Sequence, residues 1–191
     1  MNFKLVVTSL IATASAQTIA DILSRDTTGV ALIWDSIKTL PSSAMFSAKG
    51  NMTVFAPNNA AMTSLNGTYP TLYAAVTANP SDLDAIVKYH VIDAYLPVTA
   101  DGVSILNTYS NMTSIWKNSA GKITVTGGID RTATVIKYFE ATNGIVYIVD
   151  TVLIPPLSLS ITAQIMGWNG MTGVVEGAKL DGVLDTLKNK T

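Results

Sequence analysis

Two short apolar segments, separated by about ninety residues, constrain the fold of this chain most strongly. The first is Thr53-Val-Phe-Ala-Pro57, a β-favouring run that ends at a proline and is followed by Asn58, a good helix cap. In the second, Asn143-Gly144 turns the chain into a mostly apolar run from Ile145 to Ile154. We therefore expect a strand that leads into a helix at the first segment and a long strand at the second.

Helical patterns dominate the part of the chain before residue 90. A first helix, which Pro41 is expected to close, is indicated by four apolar residues at helical spacing: Leu32, Ile33, Ile37 and Leu40. Further helices are predicted at residues 59–65 and 72–78, and another begins with Ser81 as its N-cap.

Strand patterns follow from His90 onward, where β-branched and aromatic segments alternate with glycine- and asparagine-rich turns. The predicted strands are Ile105–Leu106, Thr113–Trp116, Ile123–Thr126, Thr132–Phe139 and Ile145–Leu153. Because helices come first and strands with short turns come after them, we predict an α+β fold with a largely antiparallel sheet.

The composition is that of a globular chain without an electrostatic signal for nucleic acid. With 191 residues, of which 48% are apolar and 13% charged, the chain can form one domain with a sizeable core. Its 12 basic and 13 acidic side chains nearly cancel. Nucleic-acid binding is therefore not expected, because it needs a basic surface.

The N-terminus has the pattern of a secretory signal peptide over residues 1–16. Lys4 precedes the apolar run Leu5–Ala12, which is too short to span a membrane, and Ala14-Ser-Ala16 supplies the small residues of a cleavage site. N-glycosylation sequons follow at four positions, Asn51, Asn66, Asn111 and Asn189. The chain has no cysteine, so an apolar core alone must hold the fold. We expect a secreted glycoprotein, extracellular or associated with a cell wall, with no transmembrane segment.

The residue types do not assemble into an active site. His90 is the only histidine and cysteine is absent, which excludes a thiol nucleophile and a multi-histidine zinc site. No Gly-x-Ser-x-Gly elbow is present. The acid pairs Asp82/Asp84 and Asp181/Asp185 are expected to lie at helix starts and on solvated faces. We therefore expect no enzyme activity, no metal and no cofactor.

A third segment, Lys88-Tyr-His-Val-Ile92, lies between the first two. Together the three segments resemble the fasciclin (FAS1) domain over residues 17–156. The resemblance implies a wedge-shaped, mostly antiparallel sheet with helices packed on one side, and it makes Tyr89 and His90 candidates for a motif associated with integrin-type adhesion. From the residues themselves we expect a mainly structural role, in which a buried His90 imidazole donates to a backbone carbonyl and Tyr89 packs beside it.

The chain departs from the family pattern at two positions linked to adhesion. Tyr138 stands where relatives usually have an acid ahead of the second segment, and Ala60 stands where an acid is frequent in the first. An adhesive role carried by those acids does not transfer to this chain.

The C-terminal residues 157–191 resemble the opening helices of a second FAS1 domain. Residues 174–191 are similar to residues 33–53, and both stretches close on an Asn-x-Thr sequon. An ordinary C-terminal amphipathic helix has the same pattern, so both interpretations stay open. In either case an apolar stripe needs a surface, on its own domain or on a second copy of the chain, and its residues are Leu180, Val183, Leu184 and Leu187.

Three functions remain open from the sequence. The first is a secreted, glycosylated protein of a walled organism such as a fungus, which binds a cell-surface protein or wall polysaccharide in adhesion or matrix interaction. The second is a carrier of a small ligand or lipid in a pocket between helices and sheet. The third, a glycan hydrolase, would need two acids facing one cleft, from among Asp82, Asp84, Asp93, Asp101 and Asp150. The aromatic residues considered for stacking on sugars are Tyr69, Tyr73, Tyr95, Tyr109, Trp116 and Trp168.

Overall fold

A computed structural model describes residues 17–98, 102–110, 113–119, 122–127 and 131–155. The expected signal peptide (1–16) and the C-terminal segment (157–191) lie outside the described residues, as do Asn111, Asn189, Asp101, Trp168 and the pair Asp181/Asp185.

The helices come first along the chain and the strands follow, with one strand between helices. The helices are α1 (Ile19–Leu23), α2 (Ala31–Ile37), α3 (Asn59–Thr68), α4 (Pro70–Ala78) and α5 (Pro80–Tyr89), and short 3-10 turns span Asp26–Thr28 and Pro41–Phe46. The strands are β1 (Met52–Pro57), β2 (Val91–Ile92), β3 (Gly102–Asn107), β4 (Thr113–Ser119), β5 (Lys122–Gly127), β6 (Arg131–Ala141) and β7 (Gly144–Val149).

The strands form one seven-stranded sheet in the order β2-β1-β7-β6-β5-β4-β3. Strands β1 and β7 run parallel, with Met52 opposite Gly144, whereas the other neighbouring strands are antiparallel. The two ends of the sheet approach each other at a single bridge between Ile92 and Thr108. The sheet therefore curls toward closure without becoming a continuous barrel.

The core has two layers, one on each face of β1 and β7. Side chains such as Val54, Val146 and Ile148 face the helices and pack with the apolar sides of α1 to α5. Alternate residues such as Phe55 and Tyr147 face the other way and pack against the inner faces of β4 and β5. The predicted α+β fold, with helices on one side of a mostly antiparallel sheet, is confirmed.

The helix cap predicted at Asn58 is present, but the one predicted at Ser81 is wrong. Asn58 Oδ1 accepts from the N–H of Ala61 at 2.7 Å. At α5 the cap is Asn79, whose Oδ1 accepts from the Ser81 N–H at 3.0 Å. Pro80 explains the difference, because a proline fits the first helical position and keeps the residue before it extended.

The second apolar segment is a shorter strand than predicted. Strand β7 ends at Val149, where the Asp150 carboxylate accepts the N–H of Thr134 at 2.7 Å. Residues 152–154 have no regular structure, but they are buried and apolar. The apolar pattern in the sequence therefore continues beyond the end of the strand.

Two expectations for the first helical region also need correction. Leu32 is exposed, so it does not share the buried side of α2 with Ile33 and Ile37. Helix α2 ends at Ile37, and Pro41 instead begins the following 3-10 turn. Leu40 stays extended before that proline, as the proline ring requires.

Candidate functional site

The Tyr89-His90 pair lies where α5 ends and β2 begins. The His90 backbone N–H donates to carbonyls of the last helical turn, including Ile86 O at 3.2 Å, so the residue itself caps the helix. The imidazole ring contacts the same carbonyl, because its Nδ1 lies 2.8 Å from Ile86 O. Nε2 accepts the N–H of Leu153 at 3.0 Å, which assigns the ring proton to Nδ1 as the donor to Ile86.

Burial keeps the His90 imidazole neutral. Only 5% of its surface is accessible to solvent. Desolvation lowers the pKa of His90 from 6.5 to about 4, and the hydrogen bond to the Ile86 carbonyl opposes that shift only in part. The expected buried imidazole that donates to a backbone carbonyl is confirmed.

Tyr89 points into the opposite core layer. It is 1% exposed and packs in the cluster that contains Phe55 and Trp116. Its hydroxyl lies against Gly127 at the end of β5, where a Cβ atom would come within 2.5 Å of that oxygen. The two adhesion-motif candidates therefore connect helix, sheet and the segment after β7, and neither presents a side chain at the surface.

The apolar cavity beside His90 is small. It lies between α1, α2, α5 and β1, and its volume is about 30 Å³, roughly the space of one water molecule. A site for a lipid or other small ligand needs some ten times that volume. This cavity gives no support to the carrier hypothesis.

Asn143 holds the second segment in place, a role the sequence pattern did not reveal. Its Oδ1 accepts the N–H of Ile19, and its Nδ2 donates to the carbonyls of Phe46 and Ala48, each at 2.9 Å. The side chain is buried, as are its bonds to Ile19 and Phe46, and its bond to Ala48 is partly buried. The only signal of this role in the sequence is that Asn143, a polar residue, directly precedes the apolar residues of β7.

Among the described residues, the candidate acids Asp84 and Asp150 bind different parts of the chain. Asp84 accepts from Lys88 Nζ at 2.7 Å and from the Ser42 N–H at 3.3 Å, whereas Asp150 binds the backbone of β6. Asp93 follows β2. Asp82 is buried in the first turn of α5, so its predicted place on a solvated face is wrong. Among the described residues, no group of three or more metal-ligating side chains comes together.

An aromatic cluster fills the layer between the two halves of the sheet. Tyr147 stacks on Phe55 at 5.7 Å between ring centroids and tilts against Trp116 at 5.2 Å. Its hydroxyl donates to Leu96 O at 2.8 Å, and burial raises the pKa of Tyr147. Tyr138 lies opposite Tyr147 in the pairing of β6 with β7, and its exposed ring lies 6.1 Å from the Tyr147 ring between centroids.

Only some of the aromatic candidates for sugar stacking are accessible. Trp116 is fully buried, and Tyr69 and Tyr73 are half-buried beside the helices. Tyr95 and Tyr109 are exposed. Tyr109 lines an open groove of about 640 Å³ between the residues that follow β2 and strand β3, together with Asp93 and Asn107.

Most exposed apolar side chains lie on the strand side of the molecule. Among the described residues, those on β3, β4 and β6 are Val103, Ile105, Ile115, Ile136 and Tyr138. Register places Ile105 opposite Ile115 and Val103 opposite Lys117, so three of the apolar side chains are neighbours on the outer face of β3 and β4. This surface is unusual because such faces are normally polar.

Two of the sequon asparagines can be located. Asn51 precedes β1 and Asn66 lies in the last turns of α3, and both are exposed. Within the described ranges, no helix has the length and apolar character needed to cross a membrane.

Comparison with known proteins agrees with this architecture. The fasciclin domain family matches residues 29–155 of the chain. Protein sll1483 of Synechocystis sp. is 30% identical over 156 residues, which cover 81% of this chain and 82% of that protein.

A solved structure has the same fold. It is a FAS1 domain pair from the insect cell adhesion molecule fasciclin I, with 23% identity and a TM-score of 0.54 over 85% of this chain. The match covers 57% of that solved chain, so this chain spans little more than half of the pair. By the extent of the domain match and the identity to its relative, the chain belongs to the fasciclin family.

Proposed function

We propose that this chain is a secreted, glycosylated FAS1-domain protein that mediates cell adhesion or interaction with a cell wall or extracellular matrix by non-catalytic binding. The observation that carries the proposal is the division between an internal motif and an exposed strand surface. Tyr89 and His90 are buried, whereas apolar and aromatic side chains are exposed on the strand side. In this proposal the motif supports the fold, and the strand side makes contact with the partner.

Membership of a family found in adhesion proteins supports the proposal. The partner is a cell-surface protein or a wall polysaccharide. The groove between β2 and β3 suits a polysaccharide, because Tyr109 offers a ring face and Asp93 and Asn107 offer hydrogen-bonding groups. The expected signal peptide and the exposed Asn51 and Asn66 support secretion with glycosylation.

A binding screen of the secreted protein against wall polysaccharides and cell-surface proteins tests the proposal. We expect Tyr109→Ala to weaken binding of a polysaccharide by about tenfold or more, the loss typical of one stacked aromatic ring. Tyr73→Ala on α4 is the matched control, because its ring is half-buried on the helix side.

The same screen is repeated without residues 157–191, which tests whether that segment takes part in binding or self-association. Binding of no polysaccharide and no surface protein, together with co-purification of a lipid, would reject the adhesion proposal and favour the carrier.

A further inference from the structure

Strand β3 is an edge of the sheet that the described residues leave largely uncovered. It stands last in the strand order, and apart from the single bridge of Thr108 to Ile92 no described residue pairs with its outer side. Natural edge strands are usually short, charged, bulged or interrupted by proline. Residues Gly102–Asn107 are six in number and contain no charge and no proline, and they pair with β4 without a register shift.

The free backbone groups belong to the residues with the most exposed apolar side chains. The Tyr109 N–H donates toward β2, to Val91 O at 2.7 Å, so it points away from β4. Backbone polar groups alternate in direction along a strand, which places those of Val103 and Ile105 on the same free side. These two side chains are 65% and 75% exposed.

We propose that the β3 edge binds the β3 edge of a second copy of this chain, antiparallel, about a two-fold axis at Ser104. In this register Val103 of each copy lies opposite Ile105 of the other. Four backbone hydrogen bonds then form between groups that no described residue of the same chain binds. The two seven-stranded sheets become continuous.

The side chains of the outer face complement themselves in this register. On one chain, the row across the two strands is Ile105 and Ile115, and the next row is Val103 and Lys117. The two-fold axis places the Ile105 row of each copy in line with the Val103 row of the other copy. Each of the two combined rows then has three neighbouring apolar side chains and ends at Lys117, and the two lysines stand at opposite ends. A second copy is favoured over an unrelated peptide because its own β3 and β4 side chains already complete the apolar rows in this register.

Electrostatics does not oppose the pairing. The edge strand itself is uncharged. The two Lys117 side chains are separated by three strand spacings, about 14 Å, which exceeds the Debye length of about 8 Å at physiological ionic strength. The inference goes beyond the proposed function because it needs no outside partner, and it shares Ile105 with the groove proposed to bind polysaccharide.

Sedimentation of the full secreted chain over a range of concentrations tests the inference. We expect a reversible dimer for the natural sequence. Val103→Lys/Ile105→Lys and Val103→Glu/Ile105→Glu should each dimerise at least about tenfold more weakly, because like charges then face each other across the axis. Mixing the two variants should restore dimers, since every lysine then faces a glutamate.

Leu32→Lys is the control, because Leu32 is an exposed apolar residue on α2, far along the sequence from the edge. It should dimerise like the natural chain. A natural chain that stays monomeric to millimolar concentration, or a mixture of the charge variants that stays monomeric, would overturn the inference. A dimer that survives in either charge variant alone would place the contact elsewhere and would also overturn it.

A cysteine cross-link tests the register itself. The chain has no cysteine, so one introduced thiol can be followed without background. Ser104→Cys should oxidise to a covalent dimer, because residues facing each other as a non-hydrogen-bonded pair have Cα atoms about 4.5 Å apart, within disulfide range. Ile115→Cys, one strand further in, should not. Equal cross-linking of both variants would contradict the register.

Discussion

The backbone N–H of Leu153 donates to Nε2 of His90 at 3.0 Å, a bond between residues 63 positions apart in the chain. Through it, the only histidine of the chain fixes the segment that follows the last strand to the end of α5. Leu153 and the residues on either side are buried, so this segment belongs to the core although it has no regular structure.

Replacement of His90 by alanine should lower the free energy of unfolding by about 2–4 kcal/mol, because it removes two buried hydrogen bonds and leaves a cavity. Thermal or urea unfolding measures the change. Tyr109→Ala, at an exposed position, should change stability by less than about 1 kcal/mol. Unchanged stability of the His90 variant together with lost adhesion would show that His90 acts directly in contact with a partner.

Stability should fall as the pH is lowered below about 6.5. The pKa of His90 is about 4 in the folded chain and near 6.5 when unfolded, so between these values the unfolded chain binds the proton first. From pH 6.5 to 5 the free energy of unfolding should drop by about 2 kcal/mol. This window lies above the ordinary pKa of carboxyl groups.

His90→Gln provides the comparison for the pH dependence, because the variant chain has no histidine. Urea unfolding of both proteins at several pH values should show a slope between pH 5 and 6.5 only in the natural chain. Equal slopes in both proteins would mean that His90 is not responsible.

Gly144→Ala should be severely destabilising, by about 3 kcal/mol or more, since backbone overlap cannot relax as a side-chain contact can. Gly144 has φ +151°, and a Cβ atom there would overlap the carbonyl of Met52 on the neighbouring parallel strand. Gly67→Ala is the matched control, because open space surrounds Gly67 within α3. That variant should be neutral or more stable by up to about 1 kcal/mol, and both can be compared by thermal unfolding.

Asn143→Ala should release the N-terminal helix from the sheet. The variant loses the bond to the Ile19 N–H and leaves the carbonyls of Phe46 and Ala48 without their donor, at a cost of about 3 kcal/mol or more. Hydrogen exchange at Ile19 should speed up more than exchange in β5. Asn59→Ala, which removes a single exposed bond to the Leu32 N–H, should cost no more than about 1 kcal/mol. Similar losses in both variants would count against this role of Asn143.

Local signals predicted the elements, but not the contacts between distant parts of the chain. The cap at Asn58 depends on residues within one turn, so it could be read from the sequence. The roles of Asn143 and His90 depend on partners 97 and 63 positions away, which no local pattern contains. Buried Leu153 shows the related limit, because burial produces the same apolar pattern inside and outside a strand.

Only one part of the candidate site, the buried imidazole of His90, could be predicted from the sequence. Its burial follows from the apolar residues that surround it in the sequence. The exposed surface could not be predicted, because alternation along β3 does not say which side faces solvent until the curl of the sheet is known. Alternation alone therefore could not show that Val103 and Ile105 are exposed.

The parallel pairing of β1 with β7 sets the order in which the molecule can be completed. Strand β1 is finished at Pro57, but its central neighbour ends at Val149. During synthesis, β1 cannot pair with β7 until about ninety further residues have been made. Until then the two-residue strand β2 is its only partner in the described sheet. Such long-range pairing is slow. The helices therefore emerge first, and the centre of the sheet can form only after Val149 has been synthesised.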